Sequence, residues 1–376
     1  MKIGIMTFWW SNDNYGQLLQ CYALQKYLRD RGHEPFLIRY ECNDSSLSNP
    51  FWKRALHAFN PVYTVCFFLR LIKTYFLQRE QKKHPRNFQT FRNLYFNFSK
   101  LSYSSIEELR KNPPVADAYI VGSDQVWNFS NGTLKQYRNY IHAMMLDFGQ
   151  ANKLSYAASW GMESLDSEFS REISPLLSKF DYVSVREDSG LTLCESCGRM
   201  DAERVIDPTL LLSTSEYRTL YKTVSVGDKP YLLLYMLNNG CSFNIQTVYE
   251  FAKKRDLNVF YITGNGIWNP HKKYYASIEE WLYLIDHAQY VVTNSYHCSI
   301  FCILFSKNFG VIPLTGRNSG MNTRFDTLFS VFSIEPRVIS EKDFSVLDIS
   351  FKTTPVMPSE RFVSVLEKIE KLRKEK

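Results

Sequence analysis

The sequence predicts an α/β protein built from two open, parallel-sheet domains. Three observations carry this. The first forty residues read strand, loop, helix, strand, and a unit of that order and length pairs its strands parallel. The later strand candidates, PYLLLYML (230–237), LNVFYIT (257–263) and YVVTN (290–294), are unbroken apolar runs of the kind covered on both faces. At 376 residues the chain is too long for one ordinary core. The two domains are expected to join near residue 205, giving 1–204 and 205–376.

KIGIMTF (2–8) is the first strand, and SNDNYG (11–16) is a polar loop ending in glycine. QLLQCYALQKYLRDRG (17–32) has apolar residues at 18, 19, 23, 24 and 28, a helical period, with Gly32 past its end. EPFLIRY (34–40) is the second strand. Residues 45–100 form a basic, aromatic insertion. DAYIVGSDQVW (117–127) runs from a strand into a Gly-Ser-Asp turn, and KLSYAASWG (153–161) and DYVSVRE (181–187) repeat that design. Past residue 205 the strands are separated by helical patterns at about 243–254, 278–288 and 296–306. SERFVSVLEKIEKLRKEK (359–376) closes the second domain as an amphipathic helix with a charged tail.

Hydrophobic residues make up 45% and charged residues 22%, ordinary for a globular protein. MKIGIMTFWW enters a strand directly, without the apolar core and small-residue site of a signal peptide. PVYTVCFFL (61–69) stops at Arg70, short of the ~20 residues a spanning helix needs. The expectation is a cytoplasmic protein with reduced cysteines. Cys194 and Cys197 form one CxxC without a second pair, so the pattern reads as a surface turn after a helix and no metal is expected. The formal charge of +7 is concentrated: residues 53–92 hold nine Lys or Arg against Glu80 alone, and the rest of the chain is near neutral. A basic segment interleaved with Trp, Phe and Tyr suits an anionic membrane surface, which would make the protein peripheral at the inner face. It reads equally as a solvated helical hairpin that packs its aromatics on the domain. Confinement of the basic residues to one segment argues against a nucleic-acid partner.

In open α/β sheets ligands sit outside the carboxyl ends of the strands. The unusual residues of this chain cluster there: Asn14-Tyr15-Gly16, Gly122-Ser123-Asp124, Ser159-Trp160-Gly161, Arg186, Gly264-Asn265-Gly266, and Asn294-Ser295-Tyr296-His297. Neither GxGxxG nor a GxxxxGKS loop is present, which counts against NAD, FAD and ordinary P-loop chemistry. NYGQ opens a helix with free backbone N–H groups, suited to an anion or a sugar hydroxyl, or simply to a capped turn. Arg186 follows a buried strand and suits bidentate contact with phosphate or carboxylate, or an ion pair with Glu187 or Asp188. His297 stands where a strand ends and a helix begins, as a proton donor or a core histidine. Arg324, in NTRF, reads by itself as a surface arginine.

Taken in order, NYGQLLQCYALQKYL, YIVGSDQVWN (119–128), LSYAASWG (154–161), YVSVRED (182–188), DPTLLL (207–212), VVTNSYHCSIFCILFSKNF (291–309) and NTRFDTLF (322–329) resemble the polysaccharide pyruvyl transferase family over most of the chain. The resemblance implies a fold similar to B-type glycosyltransferases, two Rossmann-like domains facing a cleft. It implies phosphoenolpyruvate as co-substrate, no metal or other cofactor, and a sugar or lipid-linked oligosaccharide acceptor for surface polysaccharide such as capsule or exopolysaccharide. The product would be a pyruvate ketal across two hydroxyls. The family's motif histidine, a general acid, falls on His297, and a donor-binding arginine falls on Arg186. One common form of the motif has arginine where this chain has Ser295, and Arg324 is the cation available to replace it. Asn14, Tyr15, Gly16, Ser123, Asp124, Ser159, Ser295 and Asn322 complete the expected substrate-binding set. A sugar-nucleotide glycosyltransferase of the same architecture is the alternative.

Overall fold

The computed structural model describes residues 1–41, 72, 74–129, 132–237, 240–265, 267, 269–353 and 356–375. Four of the nine basic residues of the 53–92 segment (53, 54, 70 and 73) lie outside this set, so the membrane reading of that segment falls partly outside the described residues.

The first sheet contains β1 (Lys2–Met6), β2 (Glu34–Tyr40), β3 (Phe98–Tyr103), β4 (Ala118–Val121) and β5 (Asn152–Ser155). All pair parallel, in the order β3-β2-β1-β4-β5. Parallel bridges Leu154–Tyr182 and Ala158–Val185 extend it to β6 (Ser184–Val185), which pairs with β7 (Glu203–Arg204). The second sheet contains β8 (Tyr231–Met236), β9 (Asn258–Thr263), β10 (Tyr290–Thr293) and β11 (Phe309–Val311), parallel, in the order β11-β10-β8-β9. Every residue of β8 is buried, as an unbroken apolar run requires of a central strand covered on both faces. The strand order reverses between β1 and β4 in one sheet and between β8 and β10 in the other. At each reversal the connections leave on opposite faces and open a crevice at the carboxyl ends.

Helices cover both sheets: α1 (Tyr15–Asp30), α2 (Phe88–Tyr95), α3 (Ile106–Lys111), α4 (Leu134–Met144), α5 (Ser167–Leu177), α6 (Asp188–Ser196), α7 (Thr214–Arg218), α8 (Gln246–Lys254), α9 (Ile278–His287), α10 (Tyr296–Leu304), α11 (Thr323–Val331) and α12 (Glu360–Lys374). The halves are joined by buried contacts. The Tyr15 ring stacks flat on Trp281 at 5.0 Å, and its hydroxyl donates to the Ala276 carbonyl at 2.8 Å. Asn265 N–H donates to Asp13 Oδ2 at 2.6 Å. These ties fix the two crevices face to face.

Three expectations change. The closing helix α12 lies against the first sheet, not the second. Phe362 packs on Tyr156 and Tyr182, and Ser359 Oγ donates to Glu203 at 2.6 Å, because its apolar stripe finds its uncovered surface there. The basic insertion supplies α2 and the start of the edge strand β3 and packs Phe88 and Phe91 on the domain, as its hairpin reading expects, but it turns Arg92 inward, where it donates to Ser11 O and Asn12 Oδ1, both at 2.7 Å. Cys194 and Cys197 are buried at the end of α6 instead of lying on a surface turn, and burial pushes the Cys194 thiol up to about 12. Among the described residues no helix is long and apolar enough to cross a membrane.

Candidate active site

The site grows from the two strand-order reversals. β1 runs into the loop 11–14 and then α1, whose first orphan N–H groups are met by Asn14, with Oδ1 accepting from Gln17 N–H at 3.2 Å. β10 runs into Ser295, which caps α10 by accepting from Cys298 N–H at 3.4 Å. The two helix starts meet. A β-carbon built on Gly16 would fall 2.2–2.3 Å from Cγ, Cβ and Nδ1 of His297, closer than any real contact. The glycine of NYGQ is therefore the space in which the His297 ring sits. That ring is 5% exposed and is the second residue of α10.

On its other side the ring faces Asp207. His297 Nε2 lies 3.5 Å from Asp207 Oδ2, an ion-pair distance when the ring is protonated but long for a hydrogen bond, and Nε2 has no other partner among the described residues. Asp207 is a buried hub. Its Oδ2 accepts from Arg186 Nη1 (3.0 Å) and Ser123 Oγ (3.0 Å), and its Oδ1 accepts from Thr209 N–H (3.0 Å) and Oγ1 (2.7 Å). Burial alone would raise the carboxyl, but His297, Arg186 and Thr209 outweigh it and hold Asp207 well below the usual carboxylate range.

Arg186 leaves β6 fully buried. Burial alone would lower its pKa, and Tyr296, Asp207 and Glu187 more than reverse that. The Tyr296 ring is within cation–π reach of two guanidinium groups, 4.6 Å from that of Arg186 and 5.5 Å from that of Arg324. Arg324, the second residue of α11, is pushed down to about 10 by burial and by Arg186. Nε and Nη2 of Arg186 carry no hydrogen bond, and Glu187 Oε2 stands 3.6 Å from Nε. A buried cation with unused donors beside a second buried cation calls for an anion.

The structure thus brings Gly16, Ser123, Arg186, His297 and Arg324 together. Asp124 adjoins them, accepting from Gln17 Nε2 at 3.3 Å and so joining the end of β4 to α1. Ser159 stands behind the site: with the Trp160 and Gly161 N–H groups it holds Glu187 Oε1 at 2.8–3.1 Å. Asn14 and Ser295 are caps. Two expected contacts are corrected. Tyr15 is a core residue joining the two halves, because its ring is wholly enclosed, and burial pushes its hydroxyl up to about 12. Asn322 spends its amide on the backbone of Leu314, accepting from N–H at 3.0 Å and donating to O at 2.9 Å, so it shapes the loop before α11. Asp207, Glu187 and Tyr296 were not among the expected residues. Asp207 was visible as the acid preceding Pro208, which starts the 3-10 turn Pro208–Leu211.

Two doubly wound sheets whose reversals share a histidine and two buried arginines make a two-domain α/β protein with a candidate active site. The chain belongs to the polysaccharide pyruvyl transferase family, whose model matches residues 14–314 and so spans both sheets. A comparison with curated protein sequences finds no match. Among solved structures, the chain is similar to UDP-GlcNAc 2-epimerase from Methanocaldococcus jannaschii (12% identity, TM-score 0.51, covering 98% of this chain and 99% of that one). The same enzyme in complex with UDP-GlcNAc and UDP gives 12% identity and a TM-score of 0.49 over the same shares of the two chains. Arabidopsis thaliana UGT89C1 complexed with UDP gives 10% identity and 0.44, over 98% and 94%. At 12% identity the first of these likenesses shows the fold alone, the B-type two-domain arrangement.

Proposed function

We propose that the protein transfers the pyruvyl group of phosphoenolpyruvate to two hydroxyls of a sugar, forming a ketal in surface polysaccharide synthesis. The observation that carries this is the clustering of His297 Nε2 with the unused Arg186 donors about Asp207, and of Arg186 with Arg324 about Tyr296. The donor brings a carboxylate and a phosphate, which match two guanidinium groups, one of them with an open fork. It also needs one proton, on the methylene carbon. His297 Nε2 gives that proton, the methylene becomes a methyl, and C2 becomes an oxocarbenium-like centre. A sugar hydroxyl adds to C2 with loss of its proton, the C2–O bond to phosphate breaks, and inorganic phosphate leaves. A second hydroxyl adds, also losing its proton, and closes the ketal. Asp207 supports the imidazolium that precedes the transfer and stays ionised throughout.

Exposed Arg79, Lys82 and Lys83 are the described part of the basic segment left to face an anionic bilayer carrying a lipid-linked acceptor. The fold is shared with enzymes whose structures hold nucleotide sugars, so the donor is the point to test. In thermal denaturation phosphoenolpyruvate should raise the melting temperature, while UDP-GlcNAc and UDP should not. The opposite pattern would replace this reading with a sugar-nucleotide transferase.

A further inference from the structure

A cavity lies between the insertion and the second domain. Its volume is about 260 Å3, and its walls include Asn12, Gln81, Asn87, Thr90, Asn265 and Tyr275. That is slightly smaller than pockets for drug-sized ligands, about 300–1,000 Å3, and of a size for one sugar ring. Three features of the cavity point to a carbohydrate.

One wall is aromatic and rigid. The His84 and Tyr275 rings stack at 4.4 Å and 7°, and the Tyr275 hydroxyl donates to Glu80, which also accepts from Lys273 Nζ at 3.0 Å. The remaining walls are rich in neutral groups able both to donate and to accept, the chemistry that reads hydroxyls. Among the described residues, the side chains of Gln81, Asn87, Thr90 and Asn265 have no protein partner, although each borders the cavity. The charge is also cationic on balance. Lys273 neutralises Glu80, whereas Arg86, 9% exposed, keeps Nη1 without an acceptor.

The cavity borders the loop that leads into α1 and so towards the active site. Asn265 is tied through its N–H to Asp13, and Asn12 on the cavity wall stands four residues before Gly16, against which His297 rests. We infer that this cavity is the acceptor subsite, holding a neutral or acidic sugar ring of the glycan whose next unit is presented to His297. This assignment rests on the reading that the acceptor is a sugar. The insertion would then set acceptor choice, while the donor site is built from the two sheets.

The test uses Gln81→Ala, Asn87→Gly and Thr90→Ala together. All three positions are exposed, and glycine suits the left-handed backbone of Asn87 (φ 57°), so the fold is spared. Binding of p-nitrophenyl β-galactoside, β-glucoside and β-galacturonide is followed by saturation-transfer NMR. The wild type should bind at least one probe, and the triple variant should bind it about 10-fold or more weakly, as loss of three modest hydrogen bonds implies. The stabilisation by phosphoenolpyruvate should be equal in both proteins, and acceptor KM should rise with kcat little changed. Equal probe binding by both proteins, or no binding of any probe by the wild type, overturns the assignment. Probe binding lost in the triple variant, with no response to phosphoenolpyruvate in either protein, leaves the sugar subsite standing and removes the donor reading instead.

Discussion

Replacing Gly16 by alanine adds one methyl group at the point where α1 and α10 meet. Gly16 lies in the first turn of α1, so alanine by itself would favour the helix by about 0.8–1 kcal/mol. The structure reverses that sign. The new β-carbon would stand 2.2–2.3 Å from the His297 ring and its β-carbon, so about 1 Å of displacement is needed to reach contact distance. Neither neighbour is the far end of a flexible chain. Overpacking of this kind costs about 1–3 kcal/mol, and a misplacement of about 1 Å in a catalytic group costs on the order of 100-fold in rate. Gly16→Ala should therefore lower the urea midpoint at unchanged slope and cut kcat by about 100-fold. The control is the same change in a His297→Gly background, because His297→Ala would keep the β-carbon that alanine meets at 2.3 Å. There the added methyl should become neutral or stabilising, giving a coupling energy of about 1–3 kcal/mol in the double-mutant cycle. A Gly16→Ala protein of wild-type stability and wild-type rate would refute the claim that this glycine makes room for the histidine.

Asp207→Asn keeps the shape of the hub but removes its charge from Arg186 and His297. It should destabilise by about 3–5 kcal/mol in chemical denaturation and cost activity as well. The folded-state pKa of Asp207 is depressed, so its contribution is fully present above about pH 4, the unfolded value, and fades as pH falls toward the folded one. The stability difference between wild type and Asp207→Asn should accordingly shrink on acidification below pH 4, and a constant difference would contradict the ionised hub. Arg324→Gln should abolish the stabilisation by phosphoenolpyruvate, which for the wild type at 100 times its Kd amounts to about 2.7 kcal/mol. Tyr296→Leu removes the ring within cation–π reach of the two arginines and should weaken phosphoenolpyruvate by about 1–2 kcal/mol in calorimetric titration, with the fold intact. Arg79→Gln with Lys82→Gln and Lys83→Gln should reduce sedimentation with phosphatidylglycerol vesicles, and an unchanged bound fraction would remove the bilayer from the account.

The long apolar runs were legible because their burial is local information: β8, β9 and β10 fall within a residue or two of the runs that predict them. Gly16, Ser123, Arg186 and His297 were legible because strand ends in parallel sheets are where polar residues must be explained. Asp207 was harder. Its importance comes from four partners spread from Ser123 to His297, and no local pattern encodes a convergence of that span. Tyr15 and Asn322 are the reverse case: both sit near residues of the candidate site in the chain but spend their polar atoms on backbone carbonyls and amides. In the insertion, Phe88 and Phe91 pack on the domain as the hairpin reading expects, but nothing local in a run of exposed charges distinguishes Arg92, which is buried against the loop that leads to the site. In α5 the period of Phe169, Ile173, Leu176 and Leu177 is a plain helical stripe that the strand-centred reading passed over.

The central claim is that His297 protonates phosphoenolpyruvate for transfer to a sugar. Its most direct test is inorganic phosphate release from phosphoenolpyruvate, with and without an aryl or lipid-linked galactoside, by the wild type and by His297→Ala. The account predicts acceptor-dependent release that falls 100-fold or more in the variant, on the order of a lost general acid, with a pyruvate ketal in the sugar product. Release that persists in His297→Ala, or no release with any acceptor while UDP-GlcNAc stabilises the protein, would contradict it.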